Sequence, residues 1–319
     1  MIRKNLRVVF FSIVAFLMVF VVLSIINEDQ FYLPQTEHRH QHYNSKIPND
    51  HVFAGELVHF KNPKAYSYYN NELKHNAQRN SSSRLLMKNA SIWLPVFHQI
   101  LDKQGIPTDF KYVAVVESNL QNLYSPKGAV GFWQLKAVTA QEMGLEVSDD
   151  VDERLHPIKS TYAACKFFKM AYKQFGSWTV TAAAYNRGMT GMQRAMTNQG
   201  VSEFYDLDLN KETAAYMYRL LAMKDVMEYP KKYGLKMYNW GRPSVKTITV
   251  NQSIQDLKEF ATKQNIPYDV LKGFNPWLIA DKLSVEKGKS YVIELPLNYT
   301  AAIQDSIEVI NEENNLVNE

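Results

Sequence analysis

The stretch "VAVVESNLQN", Val113 to Asn122, ends an apolar run in a glutamate. A carboxylate set against apolar side chains loses hydration and needs a reason to be there. Phe110, Val113, Ala114 and Glu117 fall at i, i+3, i+4 and i+7, so they share one face of a helix. Val115 and Val116 make other sides apolar too, as expected of a central helix. Thr108, after Pro107, is expected to cap it, with Asp109 in the first turn. Glu117 then lies on a buried stripe near a helix C-terminus. Desolvation and the negative end of the helix dipole both disfavour its ionised form. A raised pKa is what a general acid working near neutral pH requires. On this helix alone, a structural glutamate with a hydrogen-bond partner accounts for the pattern equally well.

Other residues with chemical potential follow in order. "SPKGAVGFWQL" carries Gly128 and Gly131, which give a loop able to approach a ligand closely. Phe132 and Trp133 offer flat faces of the kind sugars stack on, and Gln134 can bond sugar hydroxyls or an acetamido group. "AAAYNRG", Ala182 to Gly188, sets a Tyr-Asn pair at a helix end, and "ETAAY", Glu212 to Tyr216, brings a further tyrosine. Taken singly each is commonplace.

Together, in this order and spacing, they resemble the lytic transglycosylases with a goose-lysozyme-like catalytic domain. The resemblance rests on Glu117-Ser118, the Gly-x-x-Gln turn Gly131 to Gln134, Ala-Tyr-Asn at Ala184 to Asn186, and Tyr216. It covers about Leu85 to Tyr229 and extends less clearly upstream. The stretch "ESNLQNLYSPKGAVGFWQL…DERLHP" is most similar to membrane-bound lytic murein transglycosylases of the D type. The turn reads Gly-Phe-Trp-Gln where many relatives have Gly-Leu-Met-Gln, which bears on subsite preference.

The resemblance implies cleavage of the MurNAc-β-1,4-GlcNAc bond of peptidoglycan without water, leaving 1,6-anhydro-MurNAc ends. Glu117 would act as acid and then as base. Tyr216 would orient it, and Gln134, Tyr185 and Asn186 would line the sugar subsites. Ser118 would support the loop or contact the glycan. No cofactor is implied, and no residues have metal-ligand spacing. Ordinary glycosidases use two carboxylates; the matching motifs hold a second acid only at Glu212. The acidic cluster in "DDVDER", Asp149 to Glu153, reads as an exposed loop or helix start.

The elements that must position these residues are almost wholly helical from Arg84 to Tyr229. "RLLMKNASIWLPVFHQILDKQG" turns Leu86, Ile92, Phe97 and Leu101 to a core, with Gly105 as a stop and Pro95 expected to kink or divide it. "HPIKSTYAACKFFKMAYKQFG" opens on a proline near its first turn and ends at Gly176. "SWTVTAAAYNRG" is a short helix ending before Gly188, and "NKETAAYMYRLLAMKDVMEYP" is another, ended by Pro230. Cys165 reads as a small core residue. After about Trp240 the pattern becomes strand, helix, helix, strand. Residues 245–297 thereby resemble a LysM module, with the Leu-to-Asn-Pro signature in "LKGFNPWL"; glycan binding and a purely structural role both remain open for it.

The chain has 319 residues and a net charge of +4 spread along its length, with no nucleic-acid footprint. Arg3, Lys4 and Arg7 precede an uncharged run from Val8 to Ile26, close to the ~20 residues a bilayer-spanning helix needs. No small-residue cleavage site follows, so an uncleaved signal-anchor is expected, with the remainder of the chain outside the cytoplasm. His38, His40 and His42 fall in a polar stretch that reads as a solvated spacer.

The expected organisation is therefore an anchor at residues 1–27, a linker at 28–50, a lysozyme-like domain at 51–232, a small α+β (βααβ) LysM-like module at 245–297 and a polar tail at 298–319. The fold class is mainly α. The expected partners are peptidoglycan glycan strands and, through the N-terminal helix, a membrane. A hydrolytic lysozyme and a non-catalytic peptidoglycan-binding scaffold are the competing readings.

Overall fold

A computed structural model describes residues 51–61, 63–77 and 81–297. The expected anchor, the histidine-bearing linker and the polar tail lie outside the described residues. Among the described residues no helix is long and apolar enough to cross a membrane.

The described chain opens with a small hairpin, β1 (Val52–Phe53) and β2 (Glu56–Leu57). Helices α1 (Pro63–Asn76), α2 (Ser81–Lys103) and α3 (Lys111–Ser118) follow. A second hairpin, β3 (Ala129–Val130) and β4 (Leu135–Lys136), precedes α4 (Ala137–Glu142). Then come α5 (Pro157–Phe175), α6 (Trp178–Arg187), α7 (Met189–Gln199) and α8 (Lys211–Glu228). The C-terminal module is β5 (Val245–Val250), α9 (Leu257–Lys263), α10 (Tyr268–Phe274) and β6 (Tyr291–Pro296). Its strands pair antiparallel along their full length.

The helical ends follow local chemistry. His156 caps α5, Pro157 takes the first position, and Gly176 closes it with φ +70°, where a side chain would be strained. Ser177 caps α6, and the Glu56 carboxylate from the first hairpin accepts the N–H groups of Trp178 (2.6 Å) and Thr179 (2.8 Å). Asn210 caps α8. α2 runs unbroken through Pro95, with Phe97, Ile100 and Leu101 buried and Ile92 only partly so. The expected Thr108 cap is not formed. Residues Thr108–Phe110 make a 3₁₀ turn first, and Asp109 instead accepts from the backbone of Ala54 (2.8 Å) and from Lys224 (2.7 Å).

α3 sits at the centre, with Tyr112, Val113, Ala114 and Val115 buried and α2 and α8 against it. A core of aromatic and aliphatic side chains surrounds it. Phe110 packs on Phe53, Phe168 and Trp178, and Phe97 on Phe132 and Trp133. Cys165 is fully buried in this core. The hairpin β1–β2 and helix α1 had no strong periodic signal. Tertiary contacts form them: Phe53 fills the core, and α1 lies along α8, where Glu72 pairs with Arg219 (3.1 Å).

Candidate functional site

Glu117 occupies the last turn of α3. The helix ends beside it because Asn119 and Leu120 both adopt positive φ (50° and 56°), turning the chain out of the helix. Tyr216, on α8, donates its hydroxyl to Glu117 Oε1 at 2.7 Å. Tyr216 is 1 % exposed, and burial, followed by the charge of Glu117, pushes its phenol well above 10. It therefore stays a donor near neutral pH.

Glu117 itself is partly exposed, yet its carboxyl is raised above the usual carboxylate range. Desolvation is the largest cause. The Tyr216 hydroxyl and the Arg219 guanidinium work against it, and the charge of Glu212 adds to it. The net direction is the one a proton donor needs.

The turn after α3 carries Gln134 at φ +45°. Its amide nitrogen donates to the carbonyls of Gly131 (2.9 Å) and Leu123 (3.1 Å), so its oxygen is what it can offer a sugar. Ser118 is buried and donates to Phe132 O (2.8 Å) and Ala114 O (3.0 Å). Of the two roles expected for it, this geometry favours support of the loop. Tyr185 donates to Trp133 O at 2.6 Å, tying the end of α6 to the same turn. Asn186 reaches α8, donating to Glu212 Oε1 (3.3 Å) and accepting from Thr213 Oγ1 (3.2 Å). Three segments distant in sequence thus meet through these side chains.

Two expectations about this region are overturned. Phe132 and Trp133 are not sugar platforms. Trp133 is fully buried against Phe97 and Phe168 and donates its indole N–H to Thr161 (2.9 Å), while Phe132 packs on Trp93 and Phe97. Gaining core packing outweighs leaving these large rings wet. Of the two readings of "DDVDER", the exposed loop fails and the helix start holds, since Asp152 caps a 3₁₀ turn at Glu153–Leu155. Asp150, Asp152, Glu153 and Arg154 are all buried, and each charge has a partner: Arg154 holds Asp152 through two nitrogens (2.9 and 2.7 Å), Lys159 pairs with Glu153, and Asp150 accepts Ser284 N–H (3.0 Å). Only paired charges tolerate such burial.

Two residues around Glu117 escaped the sequence reading. Arg219 bears on the Glu117 carboxyl, and Glu72 pairs with Arg219. The signal for Arg219 was its i+3 spacing from Tyr216, which puts both on one face of α8. Among the described residues no group of three or more His, Cys, Asp or Glu could hold a metal ion.

In the C-terminal module, buried Asn275 bridges α10 and β6. It donates to Glu294 O (2.6 Å) and Leu271 O (2.9 Å) and accepts from Glu294 N (2.8 Å). The Asn-Pro signature is thus used inside the module.

Residues 96–207 match the family model of the transglycosylase SLT domain, and residues 246–299 that of the soluble lytic transglycosylase C-terminal LysM-like domain. The chain is 27 % identical over 211 residues to membrane-bound lytic murein transglycosylase D of Escherichia coli, in strain K12 and in strain O6:H1 (CFT073), covering 64 % of this chain and 46 % of the relative. It is 33 % identical over 100 residues to a protein of Alteromonas sp. (strain M-1) named for tributyltin chloride resistance, covering 31 % of this chain and 48 % of that one. The chain spans about half the length of the curated relatives it matches.

Proposed function

We propose that this chain, which carries a transglycosylase SLT domain and a LysM-like C-terminal domain, is a lytic transglycosylase acting on peptidoglycan. The substrate bond is MurNAc-β-1,4-GlcNAc and the product a 1,6-anhydro-MurNAc end. The observation that carries the reading is the carboxyl of Glu117, the one raised among the described residues, held by the Tyr216 hydroxyl at 2.7 Å.

Protonated Glu117 gives its proton to the glycosidic oxygen, and the C1–O bond breaks with the electron pair leaving on that oxygen. The muramic acetamido group shares the positive charge at C1. The Glu117 carboxylate then takes the proton of the muramic 6-hydroxyl as that oxygen closes on C1, so the acid is restored and no water is consumed. Tyr216 fixes the carboxyl for both transfers. An intramolecular hydroxyl has a large entropic advantage over water, with effective molarities on the order of 10⁵ M or more in favourable cases. Gln134, Tyr185 and Asn186 are assigned to sugar contacts. The uncharged run from Val8 to Ile26 and the membrane-bound relative support a membrane anchor with the enzyme outside the cytoplasm.

One observation favours hydrolysis as a second reading: Glu212, exposed and tied to Asn186, contributes its charge to Glu117 and is a second carboxylate near the acid. Digestion of purified sacculi in H₂¹⁸O, followed by mass spectrometry of the muropeptides, separates the two. Transglycosylation gives non-reducible ends one water lighter, without label. Reducible, labelled ends would establish a hydrolase, and no released muropeptides at all would leave a binding scaffold.

A further inference from the structure

The segment from Glu146 to Leu155 is bonded from two sides. The C-terminal module holds one of them. Trp277 O accepts Asp152 N–H (2.9 Å), Ile279 N–H donates to Asp150 O (3.0 Å), and Ser284 N–H donates to the Asp150 carboxylate (3.0 Å). Val151 bridges Leu278 in strand fashion, and Glu146 takes Lys289 (2.6 Å) and the Tyr291 hydroxyl (2.9 Å). Val130, Val151 and Leu155 lie in one buried apolar cluster with the module's Leu257, Trp277 and Leu278. Val130 belongs to the turn that carries Gln134.

Arg154 makes the second set of contacts. Its Nη1 donates to Gly128 O (3.1 Å) and Leu135 O (3.3 Å), the two ends of that turn. Its Nε and Nη2 grip Asp152, whose backbone is the one held by Trp277. A bidentate guanidinium–carboxylate pair that is buried and fully bonded has one geometry, not several. The module is therefore continuous, through Asp152 and Arg154, with the segment that shapes the turn. A tethered arm that finds glycan on its own would leave these loops free.

We propose that Arg154 is a positioning residue for the Gln134 turn, and that the C-terminal module takes part in the reaction by holding Asp152 and Arg154 in place. The part of this that concerns turnover rests on the proposed function, since it takes the turn as part of the active site; the mechanical part does not.

The test uses the full chain with Arg154→Lys, Arg154→Ala and, remote from the turn, Lys289→Ala combined with Tyr291→Phe. Amide hydrogen exchange over residues 128–135 and turnover of soluble uncross-linked glycan strands are both measured. The expected result is faster exchange at those amides in all three proteins. In parallel kcat should drop on the order of 10- to 100-fold in the Arg154 variants, with KM near its original value, since misplacing a fixed group costs rate more than binding. Arg154→Lys should recover part of the loss, because it restores the charge without the fork. Unchanged exchange in the double variant overturns the role of the module. Unchanged exchange and kcat in the Arg154 variants overturn the role of Arg154. If the wild-type protein turns over no glycan, the proposed function has failed and the exchange data alone decide the mechanical claim.

Discussion

The α-carbon of Gly131 faces the carbonyl oxygen of Arg154 so closely that a methyl group on it would sit 2.0 Å from that oxygen. The same glycine has φ +83°, and its N–H donates to Leu123 O at 2.9 Å. The turn therefore admits no side chain for two independent reasons: close approach and left-handed backbone. Gly131→Ala should destabilise the protein by ~1–3 kcal/mol, as overpacking does. Thermal unfolding checks the stability. Turnover should fall as well, because Gln134 and Trp133 O depend on the turn.

Tyr216→Phe keeps the ring and removes the hydroxyl bonded to Glu117. Losing a hydrogen bond of this kind is expected to cost ~1–3 kcal/mol in the transition state. Steady-state kinetics should show the loss in kcat, with glycan binding by sedimentation with inactive sacculi nearly unchanged. An equal fall in binding would assign Tyr216 to a sugar subsite.

Glu117→Gln should abolish lysis of sacculi, since the amide keeps shape and hydrogen bonding but carries no transferable proton. It should also stabilise the fold. The folded-state carboxyl is raised above its unfolded value, so ionising it in the folded protein is unfavourable. The wild-type protein thus loses stability as pH rises from about 4.3, the unfolded glutamate value, through the raised folded value. The Gln variant should show no such loss. Its advantage in melting temperature should therefore be present at pH 7 and vanish below about pH 4.

The wild-type rate has the same sign of dependence. The first proton transfer needs the acid form, so turnover on short glycans should fall as pH rises through the Glu117 pKa. Arg219 and the Tyr216 hydroxyl oppose the upward shift, so Arg219→Gln should move that limb to higher pH. A limb that stays in place would remove Arg219 from the electrostatics of the site.

Glu212→Gln separates the two chemical readings. For a transglycosylase it should leave the anhydro product unchanged and lower the rate at most modestly. It removes a charge that raises Glu117 and alters the bond to Asn186. Mass spectrometry of the digest reads the outcome, and loss of all turnover would point to Glu212 as a base that activates water.

The amino-acid sequence was sufficient for the helices that carry the site. Helices α5, α6 and α8 each combine helix-forming apolar residues with a capping residue and a proline or glycine stop, and these are local properties. Glu117 was legible for the same reason: a carboxylate at i+7 of an apolar stripe is a local pattern, and the order of the motifs around it is written along the chain. What the sequence could not contain is which of several similar residues each group would meet. Phe132 and Trp133 are aromatic whether they face a sugar or Phe97, and only the packing of α2 and α5 against the turn buries them. The charges of "DDVDER" look solvated by composition. They are buried because Arg154 folds back on Asp152 within the same stretch, Lys159 of the following helix pairs Glu153, and the Ser284 amide arrives from far along the chain, while distant carbonyls of Gly128 and Leu135 take the rest of Arg154. Hydrophobic periodicity is a one-dimensional signal, whereas the burial of a charged stretch depends on distances to segments that are far apart in the chain. Those distances exist only once the helices have packed.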